Sequence, residues 1–218
     1  MLVPITIPFS TFELNIAYER AIIKLLAERT EIVQGLFDAL IGCDPKIDDI
    51  EVINAGKTSE QGIKFALSSK RISFFFGAAS CRFVKEAARW AEADEIMRIL
   101  DICLAVLGQH SEVEFGKKNT ILTLHLQLKT DSFKDVLRRF ISPVILQLDA
   151  APSEAIAIVS RWPKRSLTLD VSAAIANGIF VQTEREFSPD ATSDDIKRQI
   201  VSDEDELFSL LGVKEVDG

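Results

Sequence analysis

Thr123, His125 and Gln127 occupy alternate positions of ILTLHLQL, so in an extended strand they share one face while Leu122, Leu124, Leu126 and Leu128 share the other. An imidazole between a hydroxyl and an amide could line a polar pocket, because histidine gains or loses a proton near neutral pH and its neighbours set its orientation. General acid or base work would also need a carboxylate partner, and the sequence places none beside His125. A polar strand face has the same pattern with no chemistry attached, and it is the simpler reading. The other histidine, His110 in GQHSEVEFG, follows a helical stretch and reads as a solvated loop residue.

Other reactive groups are sparse. Cys43, Cys81 and Cys103 are far apart and form no C-x-x-C pair, so reduced thiols are expected. Cys103 in ILDICLAVL reads as a small core residue, whereas an exposed Cys81 beside Arg82 would be a candidate nucleophile. The ten glycines are scattered, and neither G-x-G-x-x-G nor G-x-x-x-x-G-K-[ST] occurs. G-x-S-x-G and H-E-x-x-H are missing as well. No cofactor and no metal are therefore expected, and the chain reads more readily as a non-enzyme.

Charge narrows the partners. Arg161, Lys164 and Arg165 flank Trp162 and Pro163, and Lys134, Arg138 and Arg139 share a second segment, so either group could hold phosphates. Against that stands a net charge of −8. Eleven acidic and four basic residues between Glu184 and Asp217 account for −7 of it. Nucleic acid is accordingly an unlikely partner on this reading. The acidic segment TSDDIKRQIVSDEDELFSLLGV also carries Ile196, Ile200, Val201, Leu207, Phe208, Leu210 and Leu211, which predicts one or two docking helices capped at Ser193 and Ser202. DEDE lacks the spacing of a calcium loop.

The elements that would position these groups follow from periodicity. FELNI alternates as a strand, and Tyr18 to Ile41 has a helical stripe ending at Gly42. IEVIN, GIKFALSS and RISFFFGAASCRFV read as three successive strands, followed by a helix from Lys85 to Gly108 with Trp90, Met97, Leu100, Leu104 and Leu107 on one stripe. After ILTLHLQL, TDSFKDVLRRFISP predicts an amphipathic helix. EAIAIVSRW, SLTLDVSAAI and GIFVQTEREF predict three strands, the last two joined by a short hairpin at Asn177-Gly178. The fold class is α+β with a mainly antiparallel sheet. Residues 1–108 and 109–218 form two subdomains, each strand-helix-three strands-helix, an order that suggests an internal duplication.

ISFFFGAASC is too short to span a membrane and is closed by Lys70, Arg71 and Arg82. It fits a buried interior strand, with Phe74 and Phe76 on one face and Phe75 on the other. A strand this apolar at a sheet edge would have to be covered by a second subunit or by another element of the chain, and a homodimer is set slightly ahead of a monomer. With no secretory leader recognisable in MLVPITIPFSTFELNI, the expected location is cytoplasmic. The sequence thus supports a non-enzymatic protein-interaction or scaffold protein acting through a protein partner or through self-association. The alternatives are a small-molecule or peptide-binding module, or an enzyme with a dispersed site around His125. Thr123, His125, Gln127, Phe75, Arg161 and Trp162 are the candidate ligand or partner surface.

Overall fold

The computed structural model describes residues 2–54, 56–58, 61–110, 112–130, 135–136 and 158–216. Four α-helices and ten mainly antiparallel strands occur among them, so the α+β class holds. The chain divides into two compact units. The first comprises Met1–Ser10, Ile121–Arg185 and Gln199–Gly218, and the second Thr11–Thr120 and Glu186–Arg198.

In the second unit the strand order is β2 (Ile50–Ile53), β3 (Gly62–Leu67), β4 (Ile72–Gly77), β5 (Ser80–Glu86), then residues 11–18 of β1 (Val3–Tyr18) and 115–120 of β6 (Phe115–Leu128). Phe12, Leu14, Ile16, Phe65, Phe74, Phe76 and Phe83 alternate onto one side and are almost fully buried. Helix α3 (Ala93–Gly108) supplies Ile96, Ile99, Leu100, Cys103 and Leu107 to the same core, and α2 (Arg29–Ala39) supplies Ile32 and Leu36. Burial at roughly 25 cal/mol per Å² of apolar surface makes this two-layer arrangement the main source of stability. Helices α2 and α3 contact each other, and a Cβ on Gly35 would lie 3.0 Å from Val106 Cγ1, so this position favours a residue without one.

The first unit orders residues 3–10 of β1, 121–128 of β6, β9 (Gly178–Phe187), β8 (Arg165–Val171) and β7 (Ile158–Trp162), and β10 (Val213–Glu215) pairs parallel with Val3 to Ile5. Leu122, Leu124, Leu126 and Leu128 are buried, as their alternation predicts, together with Leu167, Leu169, Ile179 and Val181. Ile200, Leu207 and Leu211 of α4 (Ser193–Leu211) complete this core.

Several elements differ from the sequence reading. Alternation through Phe12, Leu14, Ile16 and Tyr18 carries β1 to Tyr18, so the expected helix from Tyr18 is not one helix: only α1 (Lys24–Ala27) and α2 are helical, with Glu28 between them off helical geometry at φ −84°, ψ 5°. RISFFFGAASCRFV is two strands, β4 and β5, turning at Ala78 and Ala79. Residues 85–92 lead into α3 but are not α-helical, Trp90–Glu92 forming one 3₁₀ turn. The acidic segment is a single helix whose cap is Thr192: its Oγ1 accepts from the Asp195 amide at 3.1 Å while Asp195 Oδ2 accepts from the Thr192 amide at 3.0 Å. The 176–178 connection is longer than a two-residue hairpin. Residues 172–177 separate β8 from β9, and Asn177 takes the left-handed conformation at φ 54°. Of the expected helix in TDSFKDVLRRFISP, all but Thr130, Asp135 and Val136 lies outside the described residues, as do Lys134, Arg138, Arg139 and the first half of EAIAIVSRW.

Candidate functional site

The side chains of the second unit that do not face the helices form a row across its sheet. Register places Glu51 opposite Lys64, Lys64 opposite Phe75, Phe75 opposite Arg82, and Arg82 opposite Asn15, one residue from each of β2, β3, β4, β5 and β1. With strands roughly 4.8 Å apart, a half-buried phenyl ring sits between two cations about 10 Å from each other.

Two glycines determine where that ring lies. Gly62 and Gly77 face each other across β3 and β4, and a Cβ on Gly62 would be 2.7 Å from Phe75 Cε2 and Cζ, with one on Gly77 3.4 Å from Cζ. The ring therefore lies against bare backbone, filling the space the two missing side chains leave. Phe75 makes no ring-ring contact with another described aromatic side chain.

The flanking cations are loosely held. Lys64 Nζ is 3.6 Å from Glu51 and Arg82 Nη1 is 4.0 Å from Glu13, both at the long end for an ion pair and both well exposed. Such pairs contribute at most about 1 kcal/mol, so a competing anion can take either cation at small cost. Asn15 Nδ2 donates to Glu13 Oε1 at 2.7 Å, the same oxygen that Arg82 approaches, so that carboxylate is already engaged.

Thr123, His125 and Gln127 share a face of β6 in the first unit, as alternation predicts, with Phe180 of β9 beside them. His125 is hydrogen-bonded to a hydroxyl rather than to a carboxylate: its Nδ1 is 2.8 Å from Ser172 Oγ. That oxygen already accepts from the amides of Ala174 at 3.3 Å and Ile175 at 3.1 Å, so its proton goes to Nδ1 and His125 is the neutral Nε2–H tautomer. Burial of the ring pushes its pKa below the ordinary histidine value and favours the same state. Phe9 and Phe180 meet the ring edge-on at centroid distances of 6.1 and 5.3 Å. Gln127 Oε1 accepts from Thr6 Oγ1 at 3.5 Å, at the limit of a hydrogen bond.

Arg161 and Trp162 do not join this group. They lie on β7, separated from β6 by β8 and β9, and Trp162 is covered instead by the Arg165 guanidinium, 5.3 Å from its ring centroid. Arg165 belongs to an ionic cluster invisible in the sequence. Asp203, 3% exposed, accepts two hydrogen bonds from Arg185 at 2.8 and 2.7 Å, lies 3.6 Å from Arg165 and accepts from Gln199 at 3.2 Å. One acid of DEDE is thus a structural centre.

The cysteines are buried, and burial pushes the Cys81 thiol up to about 12, which removes it as a nucleophile at neutral pH. Lys118 was not singled out by sequence. Its ammonium donates to the Ala191 carbonyl and burial pulls its pKa down. Among the described residues no three His, Cys, Asp or Glu side chains are grouped to hold a metal, and no helix is long and apolar enough to cross a membrane.

No family model and no curated protein matches the chain. Among solved structures it is similar to a rolling circle replication initiator protein from Geobacillus stearothermophilus, at 9% identity and a TM-score of 0.30, over 92% of this chain and 80% of that one. The expectations of a non-enzymatic scaffold, and of protein or self partners with nucleic acid unlikely, disagree with the name of this neighbour, a replication initiator, and are not carried further. Physical grounds for self-association go too: β4 is paired with β3 on one side and β5 on the other, so ISFFFG leaves no open edge to cover. A likeness this low carries no activity to the present chain.

Proposed function

We propose that the second unit binds single-stranded nucleic acid on its open sheet face, a base stacking on Phe75 and the neighbouring phosphates pairing with Lys64 and Arg82. The observation that supports this reading is the Lys64-Phe75-Arg82 row, with its ring laid against the Gly62–Gly77 backbone. A ring on a sheet face can offer its π-face to any base, and cations on either side supply the sequence-independent attraction to phosphate. Asn15, Ser73 and Asn119 add hydrogen-bonding groups on strands of the same unit. Glu13 and Glu51 weaken the field of this face, which favours a small footprint of few phosphates and a modest salt dependence.

Fluorescence anisotropy with a labelled 12-mer at 50 mM salt tests the reading. Binding that Phe75→Ala weakens roughly 5- to 150-fold, corresponding to about 1–3 kcal/mol for one stacked base, supports it. Equal affinity for the wild-type protein and Phe75→Ala, or no binding, contradicts it.

The candidate role of Thr123, His125 and Gln127 is proposed as positional: they hold the face of β6 together through Ser172 and Thr6. For Arg161 and Trp162 we propose no part in this face. The partition into residues 1–108 and 109–218, related by duplication, is likewise a proposal. Supporting it, the first half runs β1, two helices, β2 to β5, α3, and the second runs β6, β7 to β9, α4, with strand orders β2-β3-β4-β5-β1 and β7-β8-β9-β6. Hydrogen exchange showing one opening unit up to residue 108 and another beyond it favours the partition; opening that follows other boundaries counts against it. A cytoplasmic location remains part of the proposal, and fractionation of the native host checks it.

A further inference from the structure

A cavity of about 310 Å³ lies on the helix side of the second unit, lined by Ser69, Lys70, Arg71, Lys85, Glu92 and Glu95 among others. Lys85 is the unusual member. It alternates inward with Cys81 and Phe83, and its side chain is only 8% exposed. Its ammonium has three donors, yet among the described residues it donates to the Glu86 carbonyl at 2.9 Å and otherwise stands 3.6 Å from the Glu92 carboxylate, which is half exposed. A buried cation with so little compensation is costly unless something else pairs with it.

The surrounding charges specify what that is. Glu95 is matched by Lys70 at 2.8 Å, and Glu92 can leave Lys85 for solvent by rotating its exposed side chain. Arg71 then adds a positive charge with no ion pair among the described residues. It is carried on a left-handed residue, φ 51°, whose carbonyl accepts from the Glu86 amide at 2.9 Å. A guanidinium presents two parallel N–H donors that match an oxyanion, an ammonium supplies a point charge, and Ser69 contributes a hydroxyl bonded only weakly, at 3.4 Å, to the Cys43 carbonyl. The cavity is at the small end of ligand pockets and suits a phosphoryl group better than a large molecule.

We propose that this cavity is a phosphate site, taking the phosphoryl group of a small phosphate ester between Lys85 and Arg71 with Ser69 as a third donor. It is independent of the Phe75 face, because Lys85 and Phe75 alternate onto opposite sides of the sheet.

Isothermal titration of the whole chain with inorganic phosphate, sulfate and acetate in chloride buffer provides the test. Saturable binding of phosphate and sulfate but not acetate is expected. Arg71→Gln, on an exposed side chain, should weaken phosphate at least tenfold, and Lys85→Met should abolish it, while Lys214→Gln leaves it unchanged. Phe75→Ala should bind phosphate as the wild type does, which separates failure here from failure of the nucleic-acid reading. Absence of saturable phosphate binding overturns the proposal. So does an Arg71→Gln protein with wild-type affinity, or an equal response to all three anions. Should Lys85→Met fail to fold, Arg71→Gln decides alone.

Discussion

The open face around His125 in the first unit and the one around Phe75 in the second are both half-polar, half-aromatic surfaces, but their polar groups are spent differently. On the first, Ser172 gives its proton to His125 while its oxygen takes two amides, and Phe9 and Phe180 close on the ring edge-on. On the second, Phe75 has only glycine backbone beneath it, and its two flanking cations are held at 3.6 and 4.0 Å. Satisfied groups stiffen a fold, whereas loosely paired groups beside a platform remain available to a ligand. The more reactive residue type therefore marks the quieter surface.

The largest effect should appear at the buried ionic cluster of the first unit. Asp203→Ala leaves Arg185 and Arg165 without their shared carboxylate and should destabilise the protein by about 3–5 kcal/mol, read as a shift in the urea midpoint. A change below 1 kcal/mol would show that water already solvates the cluster. Next comes Phe75→Ala. Its loss of nucleic-acid affinity should reach the ~1–3 kcal/mol of one stacked base, while His125→Ala leaves binding unchanged. Reversal of that pair would reverse the comparison.

A smaller effect, about 1 kcal/mol, is expected for Ser172→Ala, which removes one donor from His125 and one acceptor from two amides. The pH dependence has a definite sign. His125 has a folded pKa below its ordinary value, so the unfolded chain binds more protons and this contribution to stability is lost as pH falls through and below about 6.5. Ser172→Ala should move the His125 titration, followed by NMR, upward towards the ordinary value. No movement would mean that the hydroxyl does not set the tautomer. Smallest of all is the effect of thiol reagents at neutral pH: with Cys43, Cys81 and Cys103 buried, the native protein should react with none, and urea should release three equivalents. One fast native thiol would place a cysteine at the surface.

What could be read in advance was what two-residue alternation encodes. Leu122, Leu124, Leu126 and Leu128 identified β6, GIFVQTEREF has the bounds of β9, and Phe75 was separated from Phe74 and Phe76 by parity alone. Cross-strand register was not legible. Lys64 and Arg82 carry no mark in the sequence that they flank Phe75, because the pairing is set by turns at residues 68–71 and 78–79 rather than by the strands. Ser172 lies 47 residues from His125, too far for any local rule to join them. The helix expected from Tyr18 failed for a different reason. Tyr18 satisfies both periods, and pairing of Thr11–Ala17 with β5, continued by the Tyr18 amide donating to the Ala79 carbonyl at 3.0 Å, decided in favour of the strand.

On the proposed reading, ligand meets this protein at Phe75 and not at His125. Titrating an unlabelled single-stranded 12-mer into the protein while following the aromatic resonances of Phe75, Phe180 and His125 by NMR tests it most directly. The Phe75 ring signals should shift upfield under a stacked base while those of His125 and Phe180 stay in place. Shifts confined to His125 and Phe180, or none at saturating oligonucleotide, would contradict it.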